Sequence, residues 1–273
     1  MNVRVCPLAS GSLGNALVVA SPKARLLVDM GVPQRRLKAD LRHVGVAPDD
    51  LAAVLLTHTH RDHFSTAAIG FCLGHGIRVL SSPENLKHLA RTMPGFRRLV
   101  ETGLAEPLDG EPLAIGDVTV EAFQVPHDAP GRCLGFRLTI GSGRSQRTVT
   151  VATDLGHVPQ DCLDWFVDSD VVVLESNHDP EMLWESSRPA DLIDRIAGPE
   201  GHLSNGDSAE AAEEIVGRSR PGRLKHMVLA HLSRDCNTPK LALEAHAYLA
   251  SRSSGTVHLA AATQFEPGPM IAI

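Results

Sequence analysis

Side chains that bind metal ions are concentrated in residues 57–63, which read THTHRDH. Imidazole and carboxylate groups are ligands of zinc and also suit manganese and iron. The stretch follows the apolar run Leu51–Leu56, which is typical of a buried strand. Burying three histidines and an aspartate without partners would be costly, so we expect them to meet metal at the strand end. An exposed histidine-rich turn is the alternative.

One loop cannot fill two coordination spheres, so further ligands must come from elsewhere. Three more candidate ligands stand after β-like runs: His127 after Val118–Val125, Asp154 after Arg147–Thr153, and His231 after His226–Ala230. Loops at strand ends are where rigid scaffolds present functional groups. The joint pattern therefore indicates that these side chains converge on the histidine-rich loop.

The elements that position these loops are predicted from hydrophobic periodicity and turn residues. Strands are expected at Val3–Leu8, Ala16–Ala20, Arg25–Val28, Leu51–Leu56, Ile77–Leu80, Leu113–Ile115, Val118–Val125, Cys133–Ile140, Arg147–Thr153, Val171–Glu175, His226–Ala230, Val257–Ala261 and Met270–Ile273. Helices are expected at Pro33–Val44, Ser65–Gly74, Pro83–Thr92, Pro159–Val167, Ser187–Ala197, Asp207–Gly217 and Pro239–Ser251. Two blocks of strands with helices between them predict an α+β fold with two mixed sheets covered by helices. No linker, repeat or low-complexity block divides the sequence, so residues 1–273 are expected to form a single domain.

Composition excludes several classes of protein. The chain has 273 residues, 43% hydrophobic and 21% charged, which is a globular balance and not that of a disordered chain. No apolar run approaches the roughly 18–20 residues that span a bilayer, and no signal peptide is recognised, which predicts a cytoplasmic protein without membrane association. Five scattered cysteines argue against a disulfide framework. The net charge of -6 argues against non-specific nucleic-acid binding, although a local basic patch assembled by the fold stays open.

The order of motifs resembles the metallo-β-lactamase fold superfamily. The matching residues are Thr57–His63, Pro126-His127-Asp128, Thr153-Asp154-Leu155-Gly156 and Ala230-His231-Leu232-Ser233. Further motifs are similar to the YycJ/WalJ group of stand-alone nucleases: residues 9–15 (ASGSLGN), 175–179 (ESNHD), 201–205 (GHLSN) and 231–237 (HLSRDCN). The resemblance implies a four-layer αββα sandwich with a dinuclear site between the sheet edges. The short distance from Asp154 to His231 leaves no room for a β-CASP-type insert.

The resemblance also implies the roles of the ligands. One ion would be held by His58, His60 and His127, the other by Asp62, His63 and His231, and Asp154 would bridge the two. A site of five histidines and two aspartates accepts zinc, manganese or iron, of which zinc and manganese are favoured. With both ions and a bridging hydroxide, the site keeps a charge of about +1, which attracts a phosphodiester.

Other candidate site residues lie beside these motifs. Asp62 and Asp154 are expected to take part in catalysis with the bound hydroxide, and His202 is the candidate acid for the leaving oxygen. Substrate contacts are expected from Ser10, Asn15, Asn177 and His178. Asp29 ends the run Arg25–Val28, where a role in holding the ligand loop and a plain turn carboxylate are both open.

These observations predict a hydrolase that cleaves phosphodiester bonds with a hydroxide bound to two metal ions. The group resemblance implies a 5'-to-3' exonuclease on DNA with a role in DNA repair. The alternatives are a hydrolase of a cyclic phosphodiester, lactone or thioester, and a metal-stabilised binding module without turnover. Aromatic residues are only 4% of the chain, and core packing explains Trp165 and Trp184 most simply, so stacking platforms for a nucleic acid are few. No stable protein partner is deduced.

Overall fold

Two mixed β-sheets form the centre of the structure, a computed structural model that describes residues 2–249 and 257–273. The strands of the first sheet are β1 Arg4–Ala9, β2 Ala16–Ala20, β3 Arg25–Val28, β4 Leu51–Leu55, β5 Arg78–Ser81 and β6 Ala105–Pro107, with β14 Ile271–Ala272. The strands of the second are β7 Leu113–Ile115, β8 Val118–Gln124, β9 Leu134–Ile140, β10 Arg147–Ala152, β11 Val171–Glu175, β12 His226–Ala230 and β13 His258–Ala261. The first sheet runs β14-β1-β2-β3-β4-β5-β6, and the second runs β13-β12-β11-β10-β9-β8-β7.

Helices cover the outer face of each sheet. They are α1 Gln34–His43, α2 Thr66–His75, α3 Pro83–Thr92, α4 Phe96–Glu101, α5 Gln160–Phe166, α6 Pro180–Trp184, α7 Ala190–Ile196, α8 Asn205–Arg218 and α9 Pro239–Ala245. The side chains of α1 to α4 pack in one apolar cluster with the first sheet, and those of α5, α8 and α9 pack in another with the second. A third cluster lies between the sheets. The described residues therefore form the predicted αββα sandwich.

Side chains along β1 point alternately toward the space between the sheets and toward the covering helices. Val3, which precedes the strand, and Val5 belong to the cluster between the sheets, while Cys6 and Leu8 face the helices. Because both faces are covered, the central strands read as nearly continuous apolar runs. Strands β10, β11 and β12 are neighbours and parallel, so their carboxyl ends meet at one edge of the second sheet. That edge carries Asp154, Glu175 and His231.

Most predicted elements are present within one to three residues of the expected bounds. Three of these helices and strands were not predicted, α4, β6 and α6, because they are too short to show a periodic pattern. Helix α4 begins after Gly95, whose φ of 87° suits glycine. Helix α9 ends at Ala245, and the end of the predicted helix at Ser251 lies outside the described residues. All five cysteines are free and buried, in agreement with their scattered positions in the sequence. No helix in the described ranges has the length and apolar content needed to cross a membrane.

Candidate metal centre

The histidine-rich loop follows β4 and is fixed by close backbone contacts. The Asn15 amide N–H donates to the Asp62 carbonyl over 2.7 Å, and the Met30 N–H donates to the His63 carbonyl over 2.7 Å. A Cβ atom added to Gly31 would lie 1.6 Å from the Asp62 carbonyl oxygen. Only glycine permits this approach, so the loop after β3 determines where the ligands of the histidine-rich loop lie.

A first set of donor atoms comes from His58, His60 and His127. His58 Nε2 lies 3.1 Å from His60 Nδ1, and His127 Nε2 lies 3.4 Å from the same atom. Tetrahedral zinc with bonds of about 2.0–2.1 Å separates neighbouring nitrogen ligands by roughly 3.4 Å. The three nitrogens are therefore spaced as ligands of one ion would be.

A second set comes from Asp62, His63 and His231. Asp62 Oδ2 lies 3.6 Å from His63 Nε2 and 3.5 Å from His231 Nε2. Asp154 lies between the sets: its Oδ2 is 3.2 Å from His63 Nε2, and its Oδ1 is 3.4 Å from His231 Nε2 and 4.0 Å from His127 Nε2. The structure thus brings together all seven side chains predicted as ligands, in the two predicted sets.

In four of the histidines, the ring nitrogen that faces away from the site donates a hydrogen bond to an oxygen atom. His63 Nδ1 donates to Asp29 over 2.7 Å, His127 Nδ1 to the Gly201 carbonyl over 2.9 Å, and His231 Nδ1 to Glu175 over 3.0 Å. The Thr57 hydroxyl donates to Asp29, so it accepts from His58 Nδ1 over 3.0 Å. Each bond keeps a proton on the nitrogen that faces away from the site, so that Nε2 can offer a lone pair to a cation once any proton on it is displaced.

Asp29 therefore holds the ligand loop and is not a plain turn carboxylate. It accepts from the Thr57 N–H over 2.9 Å, from the Thr57 hydroxyl and from His63, and it is buried. Burial raises its pKa, although His63 and Thr57 oppose that effect. One carboxylate thus orients two of the imidazoles, those of His58 and His63, the first through Thr57.

Three site residues have left-handed backbone conformations that are rare outside glycine. They are Asp29 with a φ of 60°, Asp154 with 61° and His231 with 53°, and each follows a strand end. Such conformations cost of order 1–3 kcal/mol and persist where the surroundings enforce them. Here they occur at three residues whose side chains contact one another's partners in the site, Asp29 through His63 and Asp154 through His63 and His231.

The charges of the site balance one another. Burial would raise the pKa of Asp154. The attraction of its carboxylate to the His231 and His63 rings outweighs burial and lowers the pKa well below its usual range. Burial likewise opposes a charge on His231, but Asp154, Asp62 and Glu175 raise its pKa to about 10. Burial, with His63 beside it, lowers the His58 pKa well below its usual range. The carboxylates and imidazoles of the site therefore compete for protons, with Asp154 held in its charged form.

Among the buried side-chain atoms of the described residues that lack a hydrogen bond, two belong to proposed ligands, which tests whether a cation fits. Asp154 Oδ2 and His231 Nε2 make none in the described structure, although both face other donors of the site. Buried polar atoms are normally satisfied, so such atoms call for an unseen partner. A divalent cation satisfies both, and the donor set of imidazole and carboxylate matches the preference of zinc and manganese.

Glu175 is a site residue that the sequence reasoning missed. It is buried at the end of β11, and its Oε1 accepts from His231 Nδ1 over 3.0 Å and from His202 Nδ1 over 2.8 Å. Its Oε2 accepts from the Leu155 N–H over 2.8 Å. Burial would raise the pKa of Glu175, but His202 and His231 outweigh burial and lower it to about 2. Its place as the first residue of the ESNHD motif, directly after the apolar run Val171–Leu174, was the available signal.

His202 lies across both donor sets. Its ring stacks on His231 at 5.3 Å between centroids and is tilted against His127 at 5.0 Å. Its side chain is 18% exposed and that of Asp62 is 23% exposed, whereas His63, His127 and Asp154 are almost fully buried. The open side of the site is therefore the side of Asp62, His60 and His202, and a substrate would approach there.

The four residues predicted to contact substrate are buried, and three of them bond the ligand loops. Ser10 Oγ accepts from the His231 N–H over 2.7 Å, and Asn177 Nδ2 donates to the His231 carbonyl over 2.8 Å. Asn15 Nδ2 lies 2.9 Å from His63 Nε2. His178 is buried, and its Nδ1 has no hydrogen bond in the described structure. Ser10, Asn15 and Asn177 thus position the ligand loops from inside the protein.

The two tryptophans differ from each other in exposure. Trp165 stacks on Phe123 at 5.2 Å between centroids, as core packing predicts. Trp184 is 61% exposed, so the prediction of core packing is wrong for it: the five-residue helix α6 buries Leu183 and leaves the next position in solvent. The short helix gave no periodic pattern from which its outer face could be recognised.

Comparison with known proteins now decides the family. A family model described as a beta-lactamase superfamily domain matches residues 24–231. The chain belongs to the beta-lactamase superfamily. It is 31% identical over 240 residues to exodeoxyribonuclease WalJ of Streptococcus pneumoniae, covering 86% of this chain and 83% of that protein. It is 29% identical over 245 residues to exodeoxyribonuclease YycJ of Bacillus anthracis, covering 89% and 87%.

One solved structure matches this chain over its full length. The crystal structure of the metallo-beta-lactamase fold protein YhfI from Bacillus subtilis superimposes with a TM-score of 0.68, covers 100% of both chains and is 18% identical. At that identity the likeness concerns the fold. The predicted metallo-β-lactamase fold and the resemblance to the WalJ/YycJ group are both confirmed.

Proposed function

We propose that this member of the superfamily is a metal-dependent phosphodiesterase, a cytoplasmic DNA exonuclease that degrades from the 5' end and serves DNA repair. The observation that carries the proposal is the pair of donor sets with Asp154 between them. The names of two relatives, both exodeoxyribonucleases, support DNA as the substrate. We also propose that the chain acts as one domain without a clamping insert, which the unbroken succession of α5, β11, α6, α7, α8 and β12 between Asp154 and His231 supports.

Two divalent ions, zinc or manganese, are proposed to occupy the site. His58, His60 and His127 would hold one, and Asp62, His63 and His231 the other. Asp154 would bridge them, since its Oδ2 lies 3.2 Å from His63 of the second set and its Oδ1 lies 4.0 Å from His127 of the first. Such ions, when bound, lower the pKa of a coordinated water and polarise phosphoryl oxygens.

The residues of the chain supply orientation and a proton. Asp62 is the partly exposed carboxylate of the second set, so its oxygens accept a hydrogen bond from the attacking water and orient it. His202 directs Nδ1–H to Glu175, which leaves Nε2 for the substrate. A proton on Nε2 passes to the leaving oxygen as the P–O bond breaks. Glu175 stabilises the protonated ring that this step needs.

Two unpaired arginines near the site favour an anionic polymer. Arg61 is exposed between the ligands His60 and Asp62, and Arg234 follows His231 by three residues. Within the described ranges neither makes an ion pair within 4.0 Å. They give the neighbourhood of the site local positive charge although the whole chain carries -6, and phosphate groups are the complementary ligand.

The test is a panel of substrates on protein of measured metal content. End-labelled single- and double-stranded DNA, RNA, bis-p-nitrophenyl phosphate and a lactone are incubated with the purified protein. Release of nucleotides from the 5' end of DNA is expected, together with slow hydrolysis of the phosphodiester. Lactone turnover with inert DNA would instead assign the protein to small-molecule hydrolases, and release from the 3' end would refute the direction.

A variant tests the acid role of His202. His202→Ala should retain its metal and lose rate by about 10²–10⁴-fold on poor leaving groups, with a much smaller loss on p-nitrophenolate, which needs no proton. His226→Ala is the matched control, because His226 begins the strand that His231 follows and lies at its far end. Equal losses on good and poor leaving groups would rule out the acid role.

A further inference from the structure

An exposed apolar pair lies on two loops that are tied to each other. Phe265 is 64% exposed and Leu13 is 53% exposed. The Leu13 N–H donates to Gln264 Oε1 over 2.8 Å, and Gln264 Nε2 donates to the Gly14 carbonyl over 2.9 Å. Gln264 therefore fixes the loop before β2 against the loop that carries Phe265.

A cation faces the exposed ring. The guanidinium carbon of Arg234 lies 5.7 Å from the centroid of Phe265, within the range of a cation–π contact. Arg234 makes no ion pair with any acidic side chain in the described part of the chain. The contact orders the guanidinium and leaves its charge available to an anion.

The loops that carry these residues are joined directly to the metal centre. The His231 N–H donates to Ser10 Oγ over 2.7 Å, and the Ser10 N–H donates to the Thr263 carbonyl over 3.0 Å. A Cβ added to Gly11, whose φ is 135°, would lie 2.8 Å from Gln264 Oε1 and 3.2 Å from the Leu232 carbonyl. Three loops thus meet at Gly11, and the Phe265 loop keeps a fixed position beside His231.

We propose that Phe265, Arg234 and Leu13 form a nucleotide platform for the DNA strand next to the scissile phosphate, an inference that rests on the proposed function. Single-stranded nucleic acid is bound by aromatic rings on which bases stack and by cations that neutralise phosphates. Phe265 offers the ring, Leu13 extends the apolar surface, and Arg234 binds the phosphate of the same nucleotide. The platform supplies the stacking surface that the low aromatic content argued against.

The platform is tested with substrates that do and do not need it. Phe265→Ala should lower kcat/KM on single-stranded DNA by about 10-fold, mainly through KM, with hydrolysis of bis-p-nitrophenyl phosphate unchanged. Phe265→Trp should retain the DNA activity. Arg234→Ala should weaken DNA binding and flatten its dependence on salt, and Arg234→Lys should keep part of the salt dependence. Val100→Ala, at a 49% exposed position of α4, is the control for loss of an exposed apolar side chain.

Binding is measured separately from turnover. The anisotropy of a labelled phosphorothioate oligonucleotide, which resists cleavage, is followed on the metal-loaded protein, with and without an abasic nucleotide at successive positions. Wild type should lose affinity at one abasic position, and Phe265→Ala should not respond to it. Equal affinity of wild type and Phe265→Ala refutes the platform even where DNA is degraded. Phe265-dependent binding of DNA that is never cleaved supports the platform and refutes the exonuclease proposal.

Discussion

The second sheet carries buried carboxylates at both of its ends, with opposite surroundings. At the end where β10 and β11 begin, Asp170 is buried and contacts Arg223 Nη2 at 2.9 Å and Lys225 Nζ at 3.3 Å. It also accepts from the Thr148 N–H over 2.8 Å. At the end where β10 and β11 terminate, the ion-pair partners of Asp154 and Glu175 in the described structure are all imidazoles.

The type of cationic partner distinguishes a buried carboxylate that stabilises the fold from one that can bind a ligand. Arginine and lysine keep their charge at neutral pH, so Asp170 is neutralised by the fold itself. An imidazole can lose its proton near neutral pH, and its free nitrogen can then bind a metal ion that the neighbouring carboxylate also binds. Asp170 pairs with two permanent cations, whereas the charged partners of Asp154 are imidazoles, so the Asp154 end is the one suited to a metal ion.

The largest effect is expected at Asp154. Asp154→Ala removes the carboxylate that lies between both donor sets, so metal content should fall and hydrolysis of bis-p-nitrophenyl phosphate should drop on the order of 10³-fold or more. Metal content is measured by plasma mass spectrometry beside the rate. A variant with wild-type metal and activity would remove Asp154 from the proposed site.

Asp170 should show the reverse pattern. Asp170→Asn leaves Arg223 and Lys225 without their buried partner, so the free energy of unfolding should fall by about 3 kcal/mol. Urea unfolding measures the change. The folded variant should keep its metal content and its rate per molecule, and loss of metal at unchanged stability would break the contrast between the two ends.

A smaller effect is expected at Glu175, which positions two imidazoles without being a proposed ligand. Glu175→Gln keeps the shape but removes the charge that His202 and His231 share, so metal affinity should fall by about 10–100-fold. Competition with a graded chelator measures the affinity. Glu106→Gln, at a surface ion pair with Arg78, is the control and should change nothing. Unchanged affinity in Glu175→Gln would contradict a positioning role.

A last test compares Glu175 with a buried group that has no charged partner. Burial alone raises the pKa of Cys72 to about 12, whereas Glu175, equally deep, is lowered to about 2 by its imidazoles. The native Cys72 thiol should therefore react with a disulfide reagent at pH 8 on the order of 10³-fold more slowly than an exposed thiol.

The same shift has a consequence for stability, with a defined sign. The folded protein stabilises the neutral form of the Cys72 thiol. The contribution of this thiol to the free energy of unfolding is therefore complete below the ordinary pKa of 9.0 and is lost as the pH rises from there toward about 12. Unfolding followed between pH 8 and pH 11 measures the slope. A fast-reacting Cys72 in the native protein would show that burial is not what sets its pKa.

The sequence predicted the parts of the site whose signal is local. The THTHRDH loop carries its ligands within seven positions, and His127, Asp154 and His231 stand at recognisable strand ends. Glu175 escaped because its partners His202 and His231 lie 27 and 56 positions away, and a glutamate at a strand end looks like any surface carboxylate. Spatial proximity between distant loops determines its role.

The exposed aromatic residues escaped for a related reason. Phe265 follows no periodic pattern, and only the bonds of Gln264 to Leu13 and Gly14 reveal that its loop lies beside residues 10–15. Short elements such as α6 were missed because five residues show no helical period, and the exposure of Trp184 was missed with them. Tertiary contacts determined both.

The left-handed turn at His231 has a consequence for laboratory evolution. A histidine at a φ of 53° is intrinsically unfavourable, while glycine or asparagine adopts that backbone readily. Selection for heat resistance alone, in medium stripped of transition metals, should therefore replace His231 early and yield hardier but inactive descendants. The same selection with metal supplied and turnover required should leave that codon untouched.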